Sequence, residues 1–309
     1  MATSSPQITL GINTCFAVKR WSRPEQWARI VSDELGLSDV QFSMDLLPPS
    51  ASESAVETHA DEVREVAEAH GIQVRSVFTG LAVYASNLLL ADTPSERAAA
   101  EGWYRRMIDL TARIGADGVG GHVGAFTVAS FRDATRRDGL RSELIEHLTR
   151  ISDHASEAGL QYLLFENLAL AREPGYSISE SHELEAALSD CVTPWRLCLD
   201  LGHPAALHTG TPSDEPIAWL SEGWQNTPII QLQQSPRGGD HHAAFTAANN
   251  ATGLVHRDEV IPALLTWDAP EIEVHLEVIP AHEADDDQVI ADLVESVRYW
   301  QDGIEQHAS

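Results

Sequence analysis

A single eight-stranded β/α barrel is the fold class this sequence predicts, on three observations. Eight short apolar runs recur every roughly 30 to 45 residues, an amphipathic helical pattern follows nearly every one, and no linker interrupts the alternation across residues 1–309. The runs are ITLGIN (8–13), DVQFSM (39–44), IQVRSVF (72–78), DGVGGHVG (117–124), LQYLLFE (160–166), RLCLD (196–200), PIIQLQ (228–233) and EVHLEV (273–278). They show little polar alternation, as expected of parallel strands covered on both faces. The helical patterns include residues 22–36, where Ser22 is placed to cap and Pro24 to occupy the first turn, and residues 95–115. Others cover 140–159, 179–190, 256–267 and 286–301. A doubly wound sheet would carry a glycine-rich phosphate loop early in the chain. The one glycine cluster, GVGGHVGA at 118–125, reads as the fourth strand and its exit.

Composition narrows the functional classes. The 309 residues are 43% hydrophobic, enough for one full core. Lys and Arg number 20 against 47 Asp and Glu, a formal net charge of −27 that repels nucleic acid and anionic membrane. The single lysine, Lys19, fits either a salt-adapted acidic surface or a codon-biased genome. Cys15, Cys191 and Cys198 have neither metal nor redox spacing and read as small buried hydrophobes in a reducing compartment. The polar start MATSSPQ precedes no long apolar run, so a cytoplasmic protein without a membrane span is expected.

The informative residues lie where the apolar runs end. In CLDLGHP (198–204) a buried strand stops at Asp200, and a carboxylate there has lost water that a donor or a cation must replace. Glu166 closes the fifth strand, Gln231 lies in the seventh and Glu277 closes the eighth. In a barrel the C-terminal strand ends converge on one mouth. Three carboxylates and an amide gathered there repel one another unless a cation sits between them, and a hard divalent ion accepts such oxygens.

With those residues in view, ENLA (166–169), DLGH (200–203), QLQQ (231–234) followed by Arg237, and HLEV (275–278) resemble the xylose-isomerase-like superfamily of sugar-phosphate isomerases and epimerases. The resemblance is strongest to its ketose 3-epimerase, erythrulose-phosphate and apiose branches, and is specific mainly from residue 117 onward. It implies a metal held by Glu after strand 5, Asp after strand 6, His after strand 7 and Glu after strand 8. Glu166, Asp200 and Glu277 match, while Gln231 stands where the family has histidine, either as an amide-oxygen ligand or as a substrate contact. The implied cofactor is one divalent ion, Mn2+ first, with Mg2+ or Co2+ as alternatives. The implied reaction is 3-epimerisation of a small ketose, an erythrulose phosphate first, with Glu166 and Glu277 moving the C3 proton on opposite faces. Aldose–ketose isomerisation at the same metal and a non-catalytic sugar-binding barrel are the alternatives. A metal-dependent endonuclease on this barrel is opposed by the net charge and by Gln231.

Further residues are expected at the substrate. His203, three residues past Asp200, reaches a hydroxyl or the carbonyl; by resemblance Arg237 sits over the ketone oxygen and His122, in a GGHVGA segment (120–125) similar to the fourth strand of the erythrulose-phosphate branch, faces the site; and His241 or His242 meets the far end of the sugar, with Arg172 and His122 beside a phosphate if there is one. Asn13 and Cys15, after the first strand, are weaker candidates. His275 is expected in the core, a layer below Glu277. The resemblance also implies a homodimer or homotetramer.

Overall fold

The computed structural model describes residues 5–47, 51–222, 224 and 226–307, so Met1–Ser4 of the polar start lie outside them. Eight strands close into one α/β barrel in chain order: β1 (Gln7–Asn13), β2 (Asp39–Ser43), β3 (Gln73–Phe78), β4 (Gly118–Gly121), β5 (Tyr162–Glu166), β6 (Trp195–Asp200), β7 (Ile229–Leu232) and β8 (Glu271–Leu276). Each falls on one of the eight predicted runs. Between them lie α1 (Pro24–Arg29), α2 (Glu53–Ala69), α3 (Leu81–Tyr84), α4 (Pro94–Ile114), α5 (Val128–Arg132) and α6 (Ala134–Ala158). The second half of the chain adds α7 (Ile178–Ala187), α8 (Pro216–Leu220), α9 (Ala247–Asn250), α10 (Arg257–Leu264) and α11 (Asp286–His307).

By internal contacts the chain forms two compact units, one of residues 1–41, 66–73 and 198–309, the other of 42–65 and 74–197. In the first, β1 pairs with β8 in parallel from Gln7↔Glu271 to Ile12↔Leu276. Asn13 pairs with Gln41 on β2, Asp200 with Gln231, and Gln231 with His275. Residues paired in register point to the same face, so Asp200, Gln231 and His275 share one level and Glu277 stands beyond it. In the second unit β3, β4 and β5 pair in parallel. The glycines of β4 are explained there: Gly120 has φ +156°, and a Cβ on it would lie 2.0 Å from the Leu164 carbonyl oxygen of β5. The glycine cluster thus serves close strand approach, as expected for a fourth strand.

Helix starts correct two details. Ser22 does not cap α1: Pro24 occupies the first helical position, which makes Arg23 the N-cap, and Gln26 Oε1 accepts the Arg23 N–H at 3.3 Å. The same logic starts α4 one residue early, with Pro94 at its head and Thr93 and Glu96 capping each other reciprocally. α2 replaces a pattern that periodicity had not singled out. Among the described residues no helix is long and apolar enough to cross a membrane.

Candidate active site

The exits of β6, β7 and β8 build one polar cluster inside the first unit. Asp200 ends β6 fully buried, and its Oδ1 accepts the backbone N–H of Gly202 at 2.6 Å and of His203 at 2.8 Å. The carboxylate therefore holds the first amides of the short 3-10 turn His203–Ala206, whose N-cap is Gly202. That turn carries His203 back over the strand end, with Nδ1 3.8 Å from Asp200 Oδ1 and Nε2 3.6 Å from Asp240 Oδ2. Both ring nitrogens of His203 face carboxylates.

Gln231 on β7 is fully buried and donates from Nε2 to Gln41 Oε1 at 2.9 Å. Asn13 Nδ2 donates to the same oxygen at 2.9 Å and to Glu277 Oε1 at 3.1 Å. Asn13 Oδ1 accepts the Cys15 N–H, and the Cys15 thiol donates to the Val278 carbonyl at 3.3 Å. The expectation that Asn13 and Cys15 touch substrate is thereby corrected. Their polar atoms face protein: Asn13, at the end of β1, holds the Glu277 carboxylate, and Cys15, in the turn after it, holds the neighbouring Val278 carbonyl. His275 is fully buried at the level of Gln231, in the core position expected for it.

The loop after β7 supplies what the sequence reading missed. Gln233 Nε2 donates to Asp240 Oδ1 at 2.9 Å, and Gln233 Oε1 accepts from Ser235 Oγ at 2.5 Å and from the His242 N–H at 3.0 Å. Asp240 Oδ1 lies 3.3 Å from His242 Nε2, and His242 Nδ1 lies 3.5 Å from Glu277 Oε2. Burial opposes the charge on Asp240, yet His203, His242 and the Gln233 amide hold its carboxyl well below the usual carboxylate range. The visible signal for Asp240 was its place beside two histidines in RGGDHH. Of those two, the structure brings His242 into the cluster and leaves His241 exposed.

Arg237 is not delivered to the cluster. Its guanidinium is about half exposed, and Nη2 donates to both carboxylate oxygens of Glu215 at 2.7 and 2.8 Å. In the second unit, Glu166 ends β5 with 3% exposure. Burial, with the Glu166 charge adding to it, raises the Tyr104 phenol far above its ordinary value. His122 follows β4, 1% exposed, with Nε2 3.2 Å from the Ser86 carbonyl oxygen. Burial lowers its pKa to about 4, so the ring is neutral near pH 7. A neutral ring donating from Nε2 keeps Nδ1 as an acceptor, which suits a hydroxyl and not a phosphate oxygen. Arg172, expected near a phosphate, donates instead to the Phe126 carbonyl at 2.6 Å.

The donor set fits a divalent ion. Ligand atoms of Asp200, His242 and Glu277 all lie within 4.8 Å of one another, as do those of His203, Asp240 and His242. Gln231 Oε1 is buried and has no hydrogen-bond partner among the described residues. A buried amide oxygen in that state matches a position that receives a cation or a substrate donor.

Comparison with known proteins agrees with the barrel fold. A sequence profile for the xylose isomerase-like TIM barrel family matches residues 27–300. The D-erythrulose 1-phosphate 3-epimerase of Brucella abortus (strain 2308) is 27% identical over 296 residues, covering 95% of each chain. A provisionally named xylose isomerase from Rhodospirillum rubrum ATCC 11170 superposes with a TM-score of 0.88 at 27% identity, over 96% of this chain and 99% of that one. The D-psicose 3-epimerase of Clostridium cellulolyticum H10 shares the fold, with a TM-score of 0.68 at 12% identity over 96% and 99%. The chain belongs to the xylose isomerase-like TIM barrel family, as an enzyme of its isomerase and epimerase type.

Proposed function

We propose that this chain is a divalent-metal-dependent 3-epimerase of a small ketose, with an erythrulose phosphate as substrate. Residues 1–309 form one catalytic domain in this reading, with the active site at the C-terminal strand ends. The observation that carries it is the Asp200–His242–Glu277 set, its two carboxylates buried and its histidine partly so, with the unpartnered Gln231 amide oxygen on the same level as Asp200. The choice of substrate rests on the Brucella relative.

Glu166, Asp200, Gln231 and Glu277 would hold the ion, Mn2+ by preference. When bound, it supplies positive charge for the ketone oxygen and the neighbouring hydroxyl, so that charge gathers there as the C–H bond weakens. The chain's own residues carry the proton. Glu277, steadied by Asn13, removes it from C3 on one face, leaving an enediolate, and Glu166 returns one on the opposite face. His122, neutral and accepting at Nδ1, orients a substrate hydroxyl, as does His203. Arg237 would have to exchange Glu215 for the substrate to act on the ketone oxygen. The three cysteines are thiols, in keeping with a cytoplasmic enzyme.

Solvent deuterium tests the proposal. With Mn2+ present, D-erythrulose 1-phosphate and its 3-epimer should each take up deuterium at C3, and chelation should abolish uptake until metal is restored. Glu277→Gln, checked for bound metal, should still exchange one epimer while interconversion collapses, and Glu166→Gln should show the mirror-image preference. Label confined to C1 or C2 would make the enzyme an aldose–ketose isomerase. Metal and sugar binding without any label would make it a binding barrel.

A further inference from the structure

We propose that His242, from the loop after β7, supplies the imidazole ligand of the metal, in compensation for Gln231 at the end of that strand. The inference rests on the metal reading above and adds a nitrogen donor where the sequence placed only a substrate contact.

Three observations converge on this residue. The first is its ring geometry. His242 Nδ1 is buried, makes no hydrogen bond among the described residues, and faces Glu277 Oε2 at 3.5 Å. That separation is too long for a hydrogen bond. It is close to the span of roughly 3.0 to 3.4 Å expected between neighbouring ligand atoms around one ion with bonds near 2.1 Å. Asp200 supplies the third member of the set within 4.8 Å.

The second observation is the partner of the other nitrogen. Nε2 faces Asp240 Oδ1 at 3.3 Å, and Asp240 is itself anchored by Gln233 Nε2 at 2.9 Å. A histidine that binds metal through one nitrogen usually donates the other N–H to a carboxylate, which sets the tautomer and ring orientation. His203 differs: Nδ1 lies 3.8 Å from the Asp200 oxygen that already accepts two backbone amides, and Nε2 also faces a carboxylate.

The third is the backbone. His242 has φ +45°, in the left-handed region that non-glycine residues uncommonly adopt, although histidine does so more readily than most. Its N–H is tied to Gln233 Oε1 at 3.0 Å and its carbonyl accepts the Ile279 N–H at 2.9 Å. A non-glycine residue persists in such a conformation where its surroundings over-determine it, as happens at functional sites. Here the ties fasten the imidazole beside the exit of β8.

Pulsed EPR of the Mn2+-loaded full chain tests the assignment. The wild type should show the 14N coupling of a directly bound imidazole. His242→Gln should lose it and bind Mn2+ at least about tenfold more weakly, whereas His203→Gln should keep it. Coupling that persists in His242→Gln, or an unchanged Mn2+ dissociation constant there, overturns the proposal. So does a wild type that binds Mn2+ with no nitrogen coupling, a result that does not depend on any variant folding. A wild type that binds no Mn2+, Mg2+ or Co2+ by titration removes the metal reading itself, and this inference with it.

Discussion

Replacing His122 by glutamine should flatten the acid limb of the protein's stability. The ring is 1% exposed, and burial holds its pKa at about 4 against an ordinary 6.5, with the bond to the Ser86 carbonyl acting in the opposite direction. In the unfolded chain the same imidazole takes up a proton near pH 6.5. Between those values the unfolded state binds a proton that the native state does not, so stability falls as pH falls. The contribution is complete above pH 6.5 and is lost progressively down to pH 4. At about 1.4 kcal/mol per pKa unit the full difference is about 3 kcal/mol, of which about 2.5 kcal/mol is lost by pH 4.5. Glutamine keeps an N–H where Nε2 stood, so it can still donate to the Ser86 carbonyl, and it does not titrate in this range. Urea denaturation of both proteins at pH 7.5 and 4.5 isolates the effect, because every other titrating group is common to the two. The wild type should lose about 2.5 kcal/mol more than the variant over that interval. Losses equal within about 0.5 kcal/mol would mean that the buried ring titrates normally, and the neutral-acceptor role assigned to His122 would fall.

Two further outcomes follow from the cluster and the barrel floor. Gln231→His should bind Mn2+ more tightly by titration, because imidazole is the better donor; unchanged metal affinity with altered substrate affinity would make Gln231 a substrate contact. Gly11→Ala should destabilise the chain by about 1–3 kcal/mol in urea, since a Cβ there lies 2.6 Å from the Asp39 carbonyl oxygen and 2.7 Å from the His275 ring; full stability would mean that the ring yields freely.

The sequence by itself determined the barrel and, to within a residue, where its strands end, except that β4 stops at Gly121 and β8 at Leu276, one residue before Glu277. Strands covered on both faces must be apolar, so each run marks a strand, and a carboxylate that terminates one, as Glu166 and Asp200 do, is carried to the exit by strand geometry alone. The helix caps were nearly legible for a similar local reason, missing by one residue where proline claimed the first helical position. Non-periodic segments were decided only by the tertiary structure. Nothing within RGGDHH says that Asp240 turns to His203 and His242 while Arg237 turns outward to Glu215. Those directions are set by Gln233, Ser235 and Ile279, which tie the loop down at both ends. Asn13 was misread for the same reason: whether an amide beside a site meets substrate or protein depends on what stands opposite it, and Gln41 and Glu277 reach it from strands 28 and 264 residues away. Local pattern fixes where a strand stops because burial and hydrogen bonding repeat along it, whereas a loop's path depends on contacts that no neighbouring residue encodes.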